Sequence, residues 1–119
     1  MRIDVDDPEL DMGLDQSLTY QGQLFTGETI EKNPRTGQVV ALTTYVEGLE
    51  DGPLLEWYSD GTARAEGQCR RGIPIGLWRD WHPNGQLALE KEYGARGMVK
   101  SIKKWAESGE LIDDRTFDA

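Results

Sequence analysis

Residues of the same type recur every 24 positions along most of this chain of 119 residues. Chance does not align so many columns, and a fixed period of this kind indicates repeated units that stack on one another. The chain is therefore expected to be an array of about four units of 24 residues. The columns that keep the step are Gly37, Gly61, Gly85 and Gly109; Trp57, Trp81 and Trp105; Tyr45, Cys69, Tyr93 and Phe117; and Val39, Ala63, Leu87 and Leu111.

Each unit has the pattern of two short strands around a tight turn. Ser59-Asp60-Gly61 and Pro83-Asn84-Gly85 carry the Asp-Gly and Asn-Gly pairs that are typical of β-hairpins. The signals predict an all-β fold, in which hairpin follows hairpin as an antiparallel meander of about eight strands in one open sheet. Glycine permits tight bends in the link between units, and the glycines there are Gly48, Gly52, Gly72 and Gly76.

The terminal units depart from the period. Tyr20 and Gly27 lie one position earlier than the step requires, and Asn33-Pro34 stand where later units have tryptophan. Such irregularity is expected at the ends of an array, because an end unit faces water instead of a neighbour.

Strand alternation assigns the side chains before each hairpin turn to two faces of the sheet. One face is predicted to carry Leu55, Trp57, Arg79, Trp81, Lys103 and Trp105. The other face is predicted to carry Leu54, Glu56, Tyr58, Trp78, Asp80, His82, Ile102 and Lys104. Stacking of aligned side chains favours a structural role for the tryptophan column, and a binding platform is the alternative.

The first 18 residues are the most acidic part of the chain. Six acidic residues and only Arg2 give this segment −5 of the total net charge of −9. The charge favours a solvated, loosely ordered arm at 1–18 before a repeat domain at 19–119, and an arm that docks on a basic surface is the alternative. Asp4, Asp6 and Asp7 lack the glycine turn and closing glutamate of a calcium loop, so no metal site is expected.

The composition narrows the class of partner. Twenty-two acidic against 13 basic residues argue against direct binding of nucleic acid, which requires positive charge, and favour a basic protein. A single cysteine fits a reducing cytoplasm. No long apolar run and no basic-then-apolar start occur, so neither a membrane span nor a secretory signal is expected.

The residue types that catalysis requires form no recognisable pattern. His82 is the only histidine, and Cys69 stands in a column otherwise filled by tyrosine and phenylalanine. Packing therefore explains Cys69 better than nucleophilic chemistry does. Gly-Ile-Pro-Ile-Gly reads as a bend between units rather than a phosphate loop. We predict a protein that is not an enzyme and has no cofactor.

Two stretches, Tyr45 to Gly61 and Arg71 to Gly85, resemble the bacterial variant of the MORN repeat. Both have a glycine, a short spacer, a second glycine, an aromatic pair and then Asp-Gly or Asn-Gly. With looser units on each side, the resemblance covers residues 20–117. The acidic opening followed by Leu24-Phe25-Thr26-Gly27-Glu28 is similar to the YwqK-like antitoxins built from this repeat. The resemblance implies a β-hairpin array and suggests a role in neutralising a toxin.

These observations together predict an antitoxin or immunity protein that binds a cognate, basic toxin in the cytoplasm. A scaffold or membrane-associated MORN module is the alternative. Binding to anionic lipid requires a cluster of basic residues, and the sequence has none, so no membrane contact is expected. The sequence leaves open whether copies of the chain form a homo-oligomer. Aromatic anchors among acidic residues are typical of an interface, and simple solvation of that face is the alternative. The predicted partner-binding residues are Glu50, Asp51, Glu56, Tyr58, Trp78, Asp80 and His82.

Overall fold

Twelve β-strands and one short 3-10 turn make up the regular structure of residues 1–117, the part of the chain that the computed structural model describes. The all-β prediction is therefore confirmed. The 3-10 turn is Ala95–Gly97. The strands are β1 Arg2–Asp4, β2 Leu10–Met12, β3 Leu18–Tyr20, β4 Gln23–Leu24, β5 Gly27–Lys32, β6 Val39–Val46, β7 Leu49–Trp57, β8 Ala63–Arg70, β9 Ile73–Trp81, β10 Leu87–Tyr93, β11 Val99–Trp105 and β12 Leu111–Thr116.

The strands form an open nine-stranded sheet in the order β1-β5-β6-β7-β8-β9-β10-β11-β12. From β5 to β12 each strand pairs antiparallel with the next one along the chain, as the hairpin pattern predicts. Two features depart from a single meander. Strand β1 joins β5 in parallel, which makes the sheet mixed. Strands β2, β3 and β4 form a second, antiparallel sheet of three strands.

Two-residue turns link successive units at Gln21-Gly22, Glu47-Gly48 and Arg71-Gly72. Both residues of each turn have a positive φ, which is the type I′ geometry that matches the twist of the flanking strands. Glycine at the second position adopts this conformation without a Cβ penalty. The second glycine of each predicted link does not lie in the turn. Gly52 and Gly76 lie inside β7 and β9, also at positive φ, close to a shift in the strand register.

The other set of turns, at the opposite end of the sheet, repeats one side-chain hydrogen bond in all four units. In each loop a side-chain oxygen accepts a hydrogen bond from the backbone N–H two residues later, which stabilises the turn locally. The accepting residues keep the 24-residue step and are Thr36, Asp60, Asn84 and Ser108.

The best-buried cluster lies at the N-terminal end, between the two sheets. Leu18, Phe25 and Tyr45 form its centre, and Phe25 is only 2% exposed. Phe25 meets the ring of Tyr45 edge-on, with centroids 6.0 Å apart. The acidic segment 1–18 contributes β1, β2 and Leu18 to this region. The segment is therefore built into the fold and is not the solvated arm that its charge favours.

The molecule, this cluster included, is a flat slab of 47 × 39 × 20 Å. Its radius of gyration is 16.0 Å, whereas a compact chain of this length has about 13.5 Å. Its accessible surface is 7916 Å², whereas about 6,500 Å² is usual for a monomer of 13.4 kDa. Most of the nine-stranded sheet is therefore a single layer with both faces open.

Candidate functional site

The strand register divides the open part of the sheet into the two predicted faces. The tryptophan face is defined by Leu55, Trp57, Arg79, Trp81, Lys103 and Trp105, and the acidic face by Glu56, Tyr58, Trp78, Asp80 and His82. Leu55 and Arg79 both pair with Glu66, so they lie on one side. Glu56 and Asp80 both pair with Ala65, so they lie on the other side. The predicted alternation is confirmed in β7 and β9.

Carboxylates and alanines alternate along one row of the acidic face. The cross-strand pairs run Glu31–Ala41, Ala41–Glu56, Glu56–Ala65 and Ala65–Asp80. The acidic residues are therefore two strands apart, at about 9.6 Å, and the side chains between them are small. Glu31 and Glu56 are exposed, and Asp80 is half-buried. The row therefore places three carboxylates on one face, beside the part of that face where Thr29 and Tyr45 are buried under the three-stranded sheet.

Glu31 belongs to this row but is not among the predicted partner-binding residues. It lies 25 positions before Glu56, whereas Glu56 and Asp80 are 24 positions apart. The one-residue slip of the first unit, which Tyr20 and Gly27 also show, was the signal that places Glu31 in this column.

Tyr58 and His82 use their polar atoms to join successive units. The Tyr58 hydroxyl donates a hydrogen bond of 2.6 Å to the carbonyl oxygen of Trp81. One unit later, Nε2 of His82 lies 2.8 Å from the carbonyl oxygen of Trp105. Because a carbonyl oxygen only accepts, His82 must carry a proton on Nε2. Both side chains are half-buried, so they offer a partner their ring surfaces rather than their polar tips.

Trp78 is held tightly on the acidic face. Its indole ring covers Gly67, where no side chain intervenes, and its Nε1–H donates to the carbonyl oxygen of Gln68 at 3.1 Å. The ring of Tyr93 meets it edge-on, with centroids 5.8 Å apart. These contacts orient Trp78 as a rigid, half-buried apolar surface.

Glu50 and Asp51 lie at the opposite end of β7 from Glu56, about 17–20 Å away along the strand. Both serve the next link turn. The backbone N–H of Arg71 donates to the Asp51 carboxylate at 3.2 Å, and that of Gly72 donates to the Glu50 carbonyl at 2.7 Å. The structure thus separates these two predicted residues from the row that contains Glu56 and Asp80.

Cys69 lies beside this bend and is buried. Burial is the main cause that raises the pKa of the Cys69 thiol to about 11, and the neighbouring Glu50 carboxylate adds to it. The thiol lies within hydrogen-bond distance of the Glu50 carboxylate, at 3.5 Å. Burial likewise raises the pKa of Tyr45. A thiol in this environment stays protonated and unreactive, in agreement with a packing role.

The chain matches no protein-family model, no curated protein and no solved structure. Across the described residues, no helix is long and apolar enough to cross a membrane. Within residues 1–117, no three His, Cys, Asp or Glu side chains come together as a group that could hold a metal ion.

Proposed function

We propose that this chain is a cytoplasmic antitoxin or immunity protein that neutralises a bacterial toxin by direct binding. The observation that carries the proposal is the row of Glu31, Glu56 and Asp80, which lie between alanines on one face of the sheet. A net charge of −9 accompanies it. The resemblance of the repeats to those of YwqK-like antitoxins adds the class of partner.

The physical basis of the interaction is electrostatic complementarity with a basic protein. Carboxylates two strands apart match cationic side chains on a partner and accelerate its diffusional encounter. Trp78 adds a rigid apolar surface on the same face, and such an aromatic group is a typical anchor of an interface. The single, protonated Cys69 is consistent with a reducing compartment.

The first experiment is co-expression with the product of the adjacent gene, with growth and co-purification as the two readouts. Rescue of growth together with a stable complex supports the antitoxin function. A neighbouring product that is harmless and does not bind contradicts it. Flotation with anionic lipid vesicles provides a further arm, because clear co-flotation favours a membrane-associated repeat module instead.

A pair of charge-reversal variants tests the binding face. Glu56→Lys with Asp80→Lys should weaken toxin binding at least tenfold and reduce its dependence on salt, because two attractions become repulsions. The matched control is Glu107→Lys with Glu110→Lys, which makes the same change of net charge in an exposed loop between β11 and β12. Unchanged affinity of the first double variant in a titration would remove this face from the proposal.

A further inference from the structure

Large and small side chains alternate across the tryptophan face with a period of two strands. Trp57 pairs with Ala63, Trp81 with Leu87 and Trp105 with Leu111 across the ladders β7–β8, β9–β10 and β11–β12. The three tryptophans are half-buried, and Ala63 and Leu111 are exposed. The odd-numbered strands thus carry the large rings, and the even-numbered strands carry the smaller side chains.

Charge alternates along the neighbouring row of the same face. The register aligns Glu66 with Arg79, Arg79 with Glu90, Glu90 with Lys103 and Lys103 with Asp114. The guanidinium group of Arg79 lies 2.9 Å from the Glu90 carboxylate through Nε and 3.6 Å from the Glu66 carboxylate through Nη1. Here the odd-numbered strands carry the cations, and the even-numbered strands carry the anions.

A surface with this two-strand period is complementary to itself. Two sheets pack face to face with their strands nearly aligned, and most homodimers use a two-fold axis. An axis parallel to the strands above the boundary of β9 and β10 superposes each odd-numbered strand on an even-numbered strand of the other copy. The resulting opposed pairs are Trp81 with Leu87, Trp105 with Ala63, Trp57 with Leu111, Arg79 with Glu90, and Lys103 with Glu66.

The accessible surface of the molecule is also large enough for a second layer to cover one face of the sheet. The surface of 7916 Å² is about a fifth larger than a monomer of 13.4 kDa usually has. A stable interface buries about 800 Å² on each partner, which is well within that surplus. We propose that a second copy of this chain docks on the tryptophan face about this two-fold axis, which leaves the acidic face outward.

The test uses the contact between Glu66 and Lys103 of the other copy. Within one chain these residues lie on β8 and β11, three strands or about 14 Å apart, which is more than the Debye length at physiological salt. Glu66→Lys alone and Lys103→Glu alone should each weaken dimerisation at least tenfold, because each creates two like-charged contacts. The double variant should recover most of the wild-type affinity, because it restores opposite charges across the interface only.

Sedimentation equilibrium and light scattering of the full chain measure the dimer directly, and thermal unfolding confirms that each variant is folded. Lys104→Glu is the matched control, since it reverses the adjacent charge of β11 on the opposite face. It should leave dimerisation unchanged. A wild-type chain that is monomeric at every concentration, single variants that dimerise normally, or a double variant without recovery would each overturn the proposal.

Discussion

The hydroxyl of Tyr58 and the carbonyl oxygen of Trp81 form a 2.6 Å hydrogen bond that joins one repeat to the next. Its counterpart one unit later joins His82 to Trp105. A repeat protein gains stability from interfaces between neighbouring units, and these bonds add a directional contact to them. Tyr58 and His82, two of the predicted partner-binding residues, thus also hold neighbouring repeats together.

Tyr58→Phe should lower the free energy of unfolding by about 1 kcal/mol, because it removes one hydrogen bond and keeps the ring. Urea denaturation followed by tryptophan fluorescence measures the change. Tyr93→Phe is the control, because the Tyr93 ring packs against Trp78 and its hydroxyl has no hydrogen-bond partner among residues 1–117. An equal loss in both variants would assign the effect to the ring environment instead of the bond to Trp81.

Gly67→Ala should destabilise the protein by about 1–3 kcal/mol, because the added Cβ overlaps with the indole ring of Trp78. The backbone of Gly67 is not at positive φ, so the cost is steric and depends on the ring. Denaturation of Gly67→Ala in a Trp78→Leu background provides the check. The added cost of the alanine should shrink there, and an unchanged cost would contradict the steric explanation.

Cys69 should react slowly with iodoacetamide. With the thiol pKa at about 11, the thiolate fraction at pH 8 is roughly 100-fold below that of an unfolded cysteine, and burial reduces access further. Mass spectrometry of the native and the urea-unfolded chain compares the two rates. Similar rates in both states would contradict the buried, protonated thiol.

The raised pKa of Cys69 also predicts a pH dependence of stability. The folded state favours the protonated thiol, so its contribution is fully present below the ordinary thiol pKa near 9.0 and is lost as the pH rises towards about 11. The raised pKa of Tyr45 acts in the same direction at higher pH. Denaturation of Cys69→Ala should therefore show a shallower decline over this range than the wild type. An identical decline would assign the pH dependence to other groups.

Leu18→Ala should cost about 2–5 kcal/mol, because Leu18 is 6% exposed in the cluster with Phe25 and Tyr45. Leu14→Ala in the same acidic segment is the control and should change stability by less than about 0.5 kcal/mol, because Leu14 is fully exposed. Chemical denaturation of both variants measures how firmly residues 1–18 are built into the fold. Equally small losses of stability in the two variants would show that residues 1–18 do not contribute to the stability of the rest of the fold.

The local part of the fold could be predicted from the sequence. The hairpin turns at Gly61 and Gly85, the pairing of consecutive strands and the two faces all follow from short-range patterns repeated every 24 residues. Alternation along β7 and β9 is a property of any extended strand, so it assigned Glu56 and Asp80 to one face without knowledge of their neighbours.

The candidate site could be predicted only in part. The 24-residue step places Glu56 and Asp80 in one column, but it leaves out Glu31 because the first unit is one residue out of step. It also could not show that Tyr58 and His82 bind carbonyl oxygens of the next unit, since the partner of a polar side chain depends on the distance between units.

The sequence by itself determined an all-β array of hairpins, because its repeated turn and strand patterns act over a few positions. It also determined the excess of acidic charge. Only the tertiary structure decided that β1 pairs in parallel with β5 and that a small second sheet covers Phe25 and Tyr45. These contacts join residues far apart in the chain, and their free energy comes from burial of apolar area, which no local pattern specifies.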